Sequence, residues 1–223
     1  MTAVAVRVGS VAGGDLDEGR LTADERSRAA GYRLDEDRDR FVASANLLRD
    51  TVAAELGTDR FVVTRTCATC SRPHGRPRVP GTDLEVSLAH RGDVIVVATS
   101  WRIAVGVDVE FSDAVDDRAY DIVASEAERR HGADAEHRAR VWARSEAILK
   151  ATGTGFARDP REVTAAADGT VIWAGSGPAA RWVDLAIGDL VGSGYVAAAA
   201  WLSGWGCDVQ VRAAPRLAVR PGS

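Results

Sequence analysis

Two carboxylates one residue apart occur in Gly106-Val107-Asp108-Val109-Glu110. In a strand alternate side chains share a face, so Asp108 and Glu110 project together, ~7 Å apart, while Val107 and Val109 enter a core. At the edge of a buried sheet such a pair repels itself and loses solvation. A divalent cation removes both costs, and ligation by oxygen alone suits Mg2+. The alternative is a strand with a solvated polar face.

A second group sits on Arg140-Val141-Trp142-Ala143-Arg144-Ser145-Glu146-Ala147-Ile148-Leu149-Lys150, where Trp142, Glu146 and Lys150 recur at four-residue steps of a helix. Glu146 one turn before Lys150 is the favourable order for a surface ion pair, worth ~0.3–0.5 kcal/mol. Two features point beyond a surface pair. Gly153-Thr154-Gly155 follows at once, a tight turn where a ligand can approach the backbone. Lys150 is also the only lysine, the other 27 of the 28 basic residues being arginine. A compact ammonium is a point-charge phosphate binder. Glu146 would supply a third carboxylate to the cation site of Asp108 and Glu110, an arrangement suited to phosphoryl-group chemistry.

The elements that must position these groups follow from hydrophobic period and capping signals. A strand is expected over Ala3–Val8. Thr22-Ala23-Asp24-Glu25 reads as a capping box opening a short helix to about Gly31. Phe41, Ala45, Leu48, Val52 and Leu56 give a second helix over Asp37–Glu55 one apolar face, with Gly57 as its stop. Strands are predicted at Phe61–Arg65, Leu84–Ser87, Val94–Thr99 and Ile103–Glu110. Helical patterning covers Asp116–Ala124, a second capping box begins at Ser125, and a longer helix runs over Glu136–Ala151. Four more strands fit Glu162–Ala166, Val171–Ala174, Arg181–Ile187 and Tyr195–Trp201. Beyond Val211 a mobile tail is expected. One long helix followed by strands thus occurs twice, which predicts two α/β halves meeting near Ala104.

Composition excludes several classes. The 223 residues suit one large domain or two small ones, and 46% hydrophobic with 27% charged residues is globular. The longest apolar run, Tyr195–Leu202, is far short of a membrane span, and the first residues do not form a secretory signal. A net charge of −4 lacks the footprint of a general nucleic-acid binder. Three cysteines give no disulfide framework and fit a reducing compartment. A cytoplasmic protein that binds neither nucleic acid nor membrane is the expectation.

Taken together, Gly106–Glu110 and, about 32 residues on, Trp142-x-x-Ser145-Glu146-Ala147-x-x-Lys150-Ala151-x-Gly153-x-Gly155 resemble the signatures of the 4′-phosphopantetheinyl transferases, surfactin-type (Sfp-like) subfamily. Gly75-Arg76-Pro77, Val86-Ser87-Leu88-Ala89-His90 and Gly194-Tyr195-Val196-Ala197-Ala198 extend the resemblance over roughly Leu21 to Trp201. It implies a pseudo-dimeric α+β fold: residues 1–104 forming the half that meets the 3′-phosphate and adenine of coenzyme A and the carrier, 105–212 the half with the Mg2+ and pyrophosphate site, and 213–223 a flexible tail. The implied activity is transfer of the phosphopantetheine arm of coenzyme A to a serine of an apo acyl or peptidyl carrier protein, releasing adenosine 3′,5′-bisphosphate. Asp108, Glu110 and Glu146 would hold Mg2+, with Mn2+ as a substitute, and Glu146 would help deprotonate the serine. Lys150 would contact the pyrophosphate. His90, Arg28 and Arg40 match positions meeting the 3′-phosphate, and Arg76 stands where the family commonly has lysine. A monomer is implied.

Two departures stand out. Ser145 replaces a lysine before the helical glutamate, and Ala89 replaces a serine before His90. They support a rival reading, a non-catalytic relative that binds coenzyme A or a carrier. A third reading is a zinc-stapled interaction module built on Cys67, Cys70 and His74, with Cys207 or His90 as distant ligands. His131 and His137 lie in a charged helical stretch and are expected to face solvent, and Trp142 to brace the helix carrying Glu146.

Overall fold

The computed structural model describes residues 3–66, 75–130, 134–203 and 206–214, the side chain of Asp189 excepted. Strand β1 (Ala3–Ser10) is followed by helices α1 (Ala23–Ala30) and α2 (Asp35–Leu56), then strands β2 (Leu84–Arg91), β3 (Val94–Trp101) and β4 (Val105–Phe111). Helices α3 (Asp117–Val123), α4 (Glu126–Arg129) and α5 (Ala135–Thr152) precede β5 (Val163–Ala165), β6 (Val171–Trp173) and β7 (Arg181–Asp184). Helix α6 (Gly188–Val191) and strands β8 (Tyr195–Trp201) and β9 (Asp208–Ala213) complete a mixed α+β fold.

Local sequence accounts for the main boundaries. Thr22 and Glu25 close a reciprocal capping box on α1, and Ser125 with Glu128 does the same for α4. Gly57 and Gly153, both at left-handed φ, end α2 and α5. Helix α5 starts from an Asp134 cap, five residues after α4 ends, so the region from Ser125 holds two helices.

The first sheet has the order β2-β3-β1-β9 and the second β4-β8-β7; β5 and β6 pair separately. Alternation along the strands sorts the residues into layers. Leu48 and Val52 of α2 pack with Leu84, Val86 and Val97 on one face of the first sheet. On its other face Val4, Val6, Val8, Val94 and Val96 share a core with Val105, Val107, Val109, Ala197 and Ala199 of the second sheet. The far side of the second sheet, at Ala198 and Ala200, packs against Ala143, Ala147 and Ile148 of α5. The result is helix on sheet on sheet on helix.

Three expectations change. Phe61–Arg65 forms no strand; Thr64 makes a single antiparallel bridge to Arg78. Only Arg181–Asp184 of the segment expected to run to Ile187 is a strand. At the end of the chain, Asp208–Ala213 pairs in parallel with β1, so residues assigned to the second half and its tail return to the first sheet. The alternation Val209, Val211 carries apolar side chains onto the shared core, a pattern masked by the prolines that follow.

Candidate active site

Strand β4 presents Asp108 and Glu110 on the face that carries α5, while Val107 and Val109 face the first sheet. This is the alternation the sequence predicts. The approach of strand and helix is unusually close at Gly106, where an added Cβ would lie 1.9 Å from the Ala147 carbonyl oxygen and 2.5 Å from the Ala151 nitrogen. No other residue fits there, and the contact fixes Glu146 and Lys150 beside Asp108. Ser87 Oγ accepts a 3.1 Å hydrogen bond from the Val107 amide, tying β2 to β4.

Lys150 Nζ lies 2.6 Å from Asp108 Oδ1 and donates a 3.3 Å bond to the Val107 carbonyl. Glu110 is ion-paired with Arg91 Nε at 2.5 Å and accepts a hydrogen bond from the Phe111 amide at 2.8 Å. Among the described residues Glu146 has no hydrogen-bond or ion-pair partner. Burial pushes all three carboxyls above their ordinary ionisation range, with Lys150 opposing the rise at each. The Asp108 charge adds to the rise at both Glu110 and Glu146, so Asp108 links the two glutamates electrostatically. Desolvated, mutually repelling, oxygen-only donors fit a hard divalent cation in chemistry. Their present spacing is looser: among the described residues no group of three or more potential ligands is gathered for a metal. Lys150 and Arg91 hold the two strand carboxylates instead.

The basic residues divide into two places. His90 ends β2 on the side facing α2, the alternate position to Arg91. Desolvation, then the charges of Arg40, Lys150 and Arg65, lower the His90 imidazolium to about 4, although the residue is exposed at the end of the strand. Arg40 is held by the Gly92 carbonyl at 2.7 Å and Asp37 at 2.6 Å. Arg28 stacks over the Phe41 ring at 4.9 Å.

Arg76 lies elsewhere. Its guanidinium pairs with Glu85 at 2.8 Å and donates to the carbonyls of Val105 at 3.0 Å, Val86 at 3.4 Å and Ala151 at 3.4 Å. It clamps the start of β2 to the start of β4 and the end of α5, about 13 Å along the strand from His90. The structure therefore brings Arg40 toward His90, while Arg28 sits over Phe41 and Arg76 joins β2, β4 and α5.

Two residues the sequence reading passed over enter the site. Arg91 holds Glu110 and stacks over Phe111 at 5.2 Å, and Arg65 acts on His90. Both were hidden among 27 arginines, though Arg91 directly follows His90. His137 is half-buried rather than solvent-facing: its ring meets Tyr120 edge-on at 6.4 Å and its Nε2 is buried without a hydrogen-bond partner. Trp142 contacts the Phe156 ring at 6.1 Å and packs against the α5 core. Ser145 and Ala89 are both buried. Cys67, Cys70, His74 and His131 lie outside the described residues, and Cys207 is a free thiol.

Residues 104–199 match the family model of the 4′-phosphopantetheinyl transferase superfamily. That segment runs from just before β4 into β8 and contains Asp108, Glu110, Glu146 and Lys150; Arg28, Arg40, Arg65, Arg76 and His90 precede it. A relative, the 4′-phosphopantetheinyl transferase HetI of Nostoc sp. (strain PCC 7120 / SAG 25.82 / UTEX 2576), is 26% identical over 149 residues. The alignment covers 62% of each chain, so the chain spans less than two thirds of that relative.

Proposed function

We propose that this chain transfers the 4′-phosphopantetheine arm of coenzyme A to a serine of an apo acyl or peptidyl carrier protein, as a surfactin-type transferase acting as a cytoplasmic monomer. The observation that carries the reading is the contact of Gly106 with α5, which sets Glu146 and Lys150 of the helix beside Asp108 of the strand. The similarity of residues 104–199 to the transferase superfamily supports it.

In this reading the serine hydroxyl oxygen attacks the phosphorus that bears the pantetheine. A phosphodiester forms, the bond to the other phosphate breaks, and adenosine 3′,5′-bisphosphate leaves. Glu146, without a hydrogen-bond partner and raised by burial, takes the serine proton. Lys150 turns its ammonium from Asp108 to the pyrophosphate, where charge accumulates. A divalent cation of the Mg2+ type, held by Asp108, Glu110 and Glu146, would neutralise the leaving phosphate. In this reading residues 1–104 meet the nucleotide's 3′-phosphate end and the carrier, and the segment from β4 to β8 meets the pyrophosphate.

The test mixes the protein with coenzyme A, Mg2+ and an apo carrier and weighs the carrier by mass spectrometry. The expected result is a gain of one phosphopantetheine arm, reduced ~10²–10⁴-fold in rate by Glu146→Gln and abolished by Asp108→Ala. Coenzyme A binding without any gain on several carriers would establish the silent-relative reading that Ser145 and Ala89 suggest.

A further inference from the structure

One helix is too narrow to cover the first sheet. Helix α2 packs on β2 and β3 through Leu48, Val52, Leu84, Val86 and Val97. Strands β1 and β9 pass beside it, and the residues that alternate with their core valines turn to the same side as α2. Among those residues are Arg7 of β1 and Arg212 of β9, register partners in the parallel pair. Two guanidinium side chains thus rise from backbones a single strand spacing, ~4.8 Å, apart. Like charges side by side on a sheet are destabilising. Among the described residues Arg7 has no hydrogen-bond or ion-pair partner, and Arg212 donates only to Gln210 Oε1, at 2.7 Å.

The surroundings define what relieves that pair. Arg7, Arg212, Thr51, Glu55 and Trp101 line a cavity of about 670 Å³, within the range of small-molecule sites. Glu55 is engaged already, accepting from Thr99 Oγ1 and Trp101 Nε1, each at 3.3 Å. Arg102, on the same wall, is paired with Asp83 at 3.2 Å. A double positive charge is left over. The dianion of a phosphate monoester offers three oxygens to two guanidinium forks, where a carboxylate offers two oxygens and one charge. Trp101 is 42% exposed, and its bond to Glu55 holds a flat apolar surface in the same cavity. The place is remote from the residues discussed above: Trp101 stands ~20 Å along β3 from Ile95, the register partner of His90.

We propose that Arg7 and Arg212 form a second anion site that takes a small aromatic phosphate monoester, its phosphate between the two guanidinium groups and its ring against Trp101. The site stands or falls apart from the transferase reading, since it shares no residue with it.

The probe is phenyl phosphate, titrated calorimetrically into the full chain. Arg7→Gln and Arg212→Gln are each expected to weaken its binding about 10- to 100-fold, the value of a charge-assisted hydrogen bond. Benzoate, with the same ring and one charge, is expected to bind about 10-fold more weakly than phenyl phosphate. Inorganic phosphate is expected to bind more weakly too, and Trp101→Ala to erase that difference; a difference that survives overturns the ring contact. Arg7→Gln is also expected to keep or raise the melting temperature, because it separates like charges. A fall would give Arg7 a structural partner and overturn the proposal. Unchanged binding in both arginine variants overturns it, as does equal affinity for phenyl phosphate, benzoate and chloride, the mark of a general basic surface. A measurement on the unaltered protein guards against a variant that does not fold: the Arg7 and Arg212 Nε–H resonances are expected to shift together with phenyl phosphate, and movement of neither overturns the assignment. Transfer to a carrier, measured on the same variants, is expected unchanged, and its absence in the unaltered protein would sink the transferase reading alone.

Discussion

Lys150 pairs with Asp108 across the helix–strand interface, at 2.6 Å, and not with Glu146 one turn back on its own helix. The choice follows from burial. Asp108 lies deeper than a surface carboxylate can without a counter-charge, and Lys150 is the cation in reach.

Removing one member of this pair should cost more than removing both. Lys150→Met strands Asp108 without its partner, and about 1–3 kcal/mol of stability is expected to go, the partial exposure of Lys150 trimming the figure for a buried pair. The double variant Asp108→Asn with Lys150→Met should recover part of the loss. Urea unfolding of the four proteins measures the coupling, and simple additivity would refute it.

Gly106→Ala tests the strand–helix contact. An added methyl group cannot be accommodated 1.9 Å from a backbone oxygen, so β4 and α5 must separate. A loss of about 1–3 kcal/mol or more is expected in thermal or denaturant unfolding. Any folded protein that remains should transfer poorly, because Glu146 and Lys150 move relative to Asp108.

Arg91 competes with a cation for Glu110. Its side chain is 44% exposed, so the pair is worth little in itself. Arg91→Met should therefore leave stability nearly unchanged while tightening Mn2+ binding about two- to fivefold, read by titration calorimetry. Weaker binding would mean that Arg91 orients Glu110 for the metal instead of withholding it.

His90 gives a pH dependence of defined sign. Its folded value of about 4 lies below the ordinary 6.5, so between the two the unfolded chain holds a proton that the folded chain does not. Stability should fall as the pH drops through that window and be restored above it. His90→Asn should flatten this part of the profile of melting temperature against pH. Binding of a phosphate dianion should raise the His90 value, seen as ring shifts in an NMR titration.

The positions that carry chemistry on β4 and α5 were legible because the two-residue and four-residue periods place Asp108 with Glu110 and Glu146 with Lys150. Their partners were not. Whether Lys150 turns to Glu146 or Asp108 depends on how closely the strand passes the helix, which Gly106 decides only once both elements exist. Arg76 shows what a motif leaves out: packing sets its guanidinium against three backbone carbonyls, of Val86, Val105 and Ala151, which no local pattern announces. Arg65 and Arg91 carry no motif, and their importance comes from what the fold puts next to them. The capping boxes at Thr22 and Ser125, being local, could be read directly.

Pairing of β9 with β1 makes the first sheet a late product of synthesis. A ribosome that has released residues 1–104 has made β1, β2 and β3 but not the strand that flanks β1, some hundred positions downstream. Until residue 213 emerges, the nascent chain carries a bare hydrogen-bonding edge open to other strands. Cutting the gene at the apparent midpoint would make that exposure permanent, so the residues before and after it belong to one folding unit.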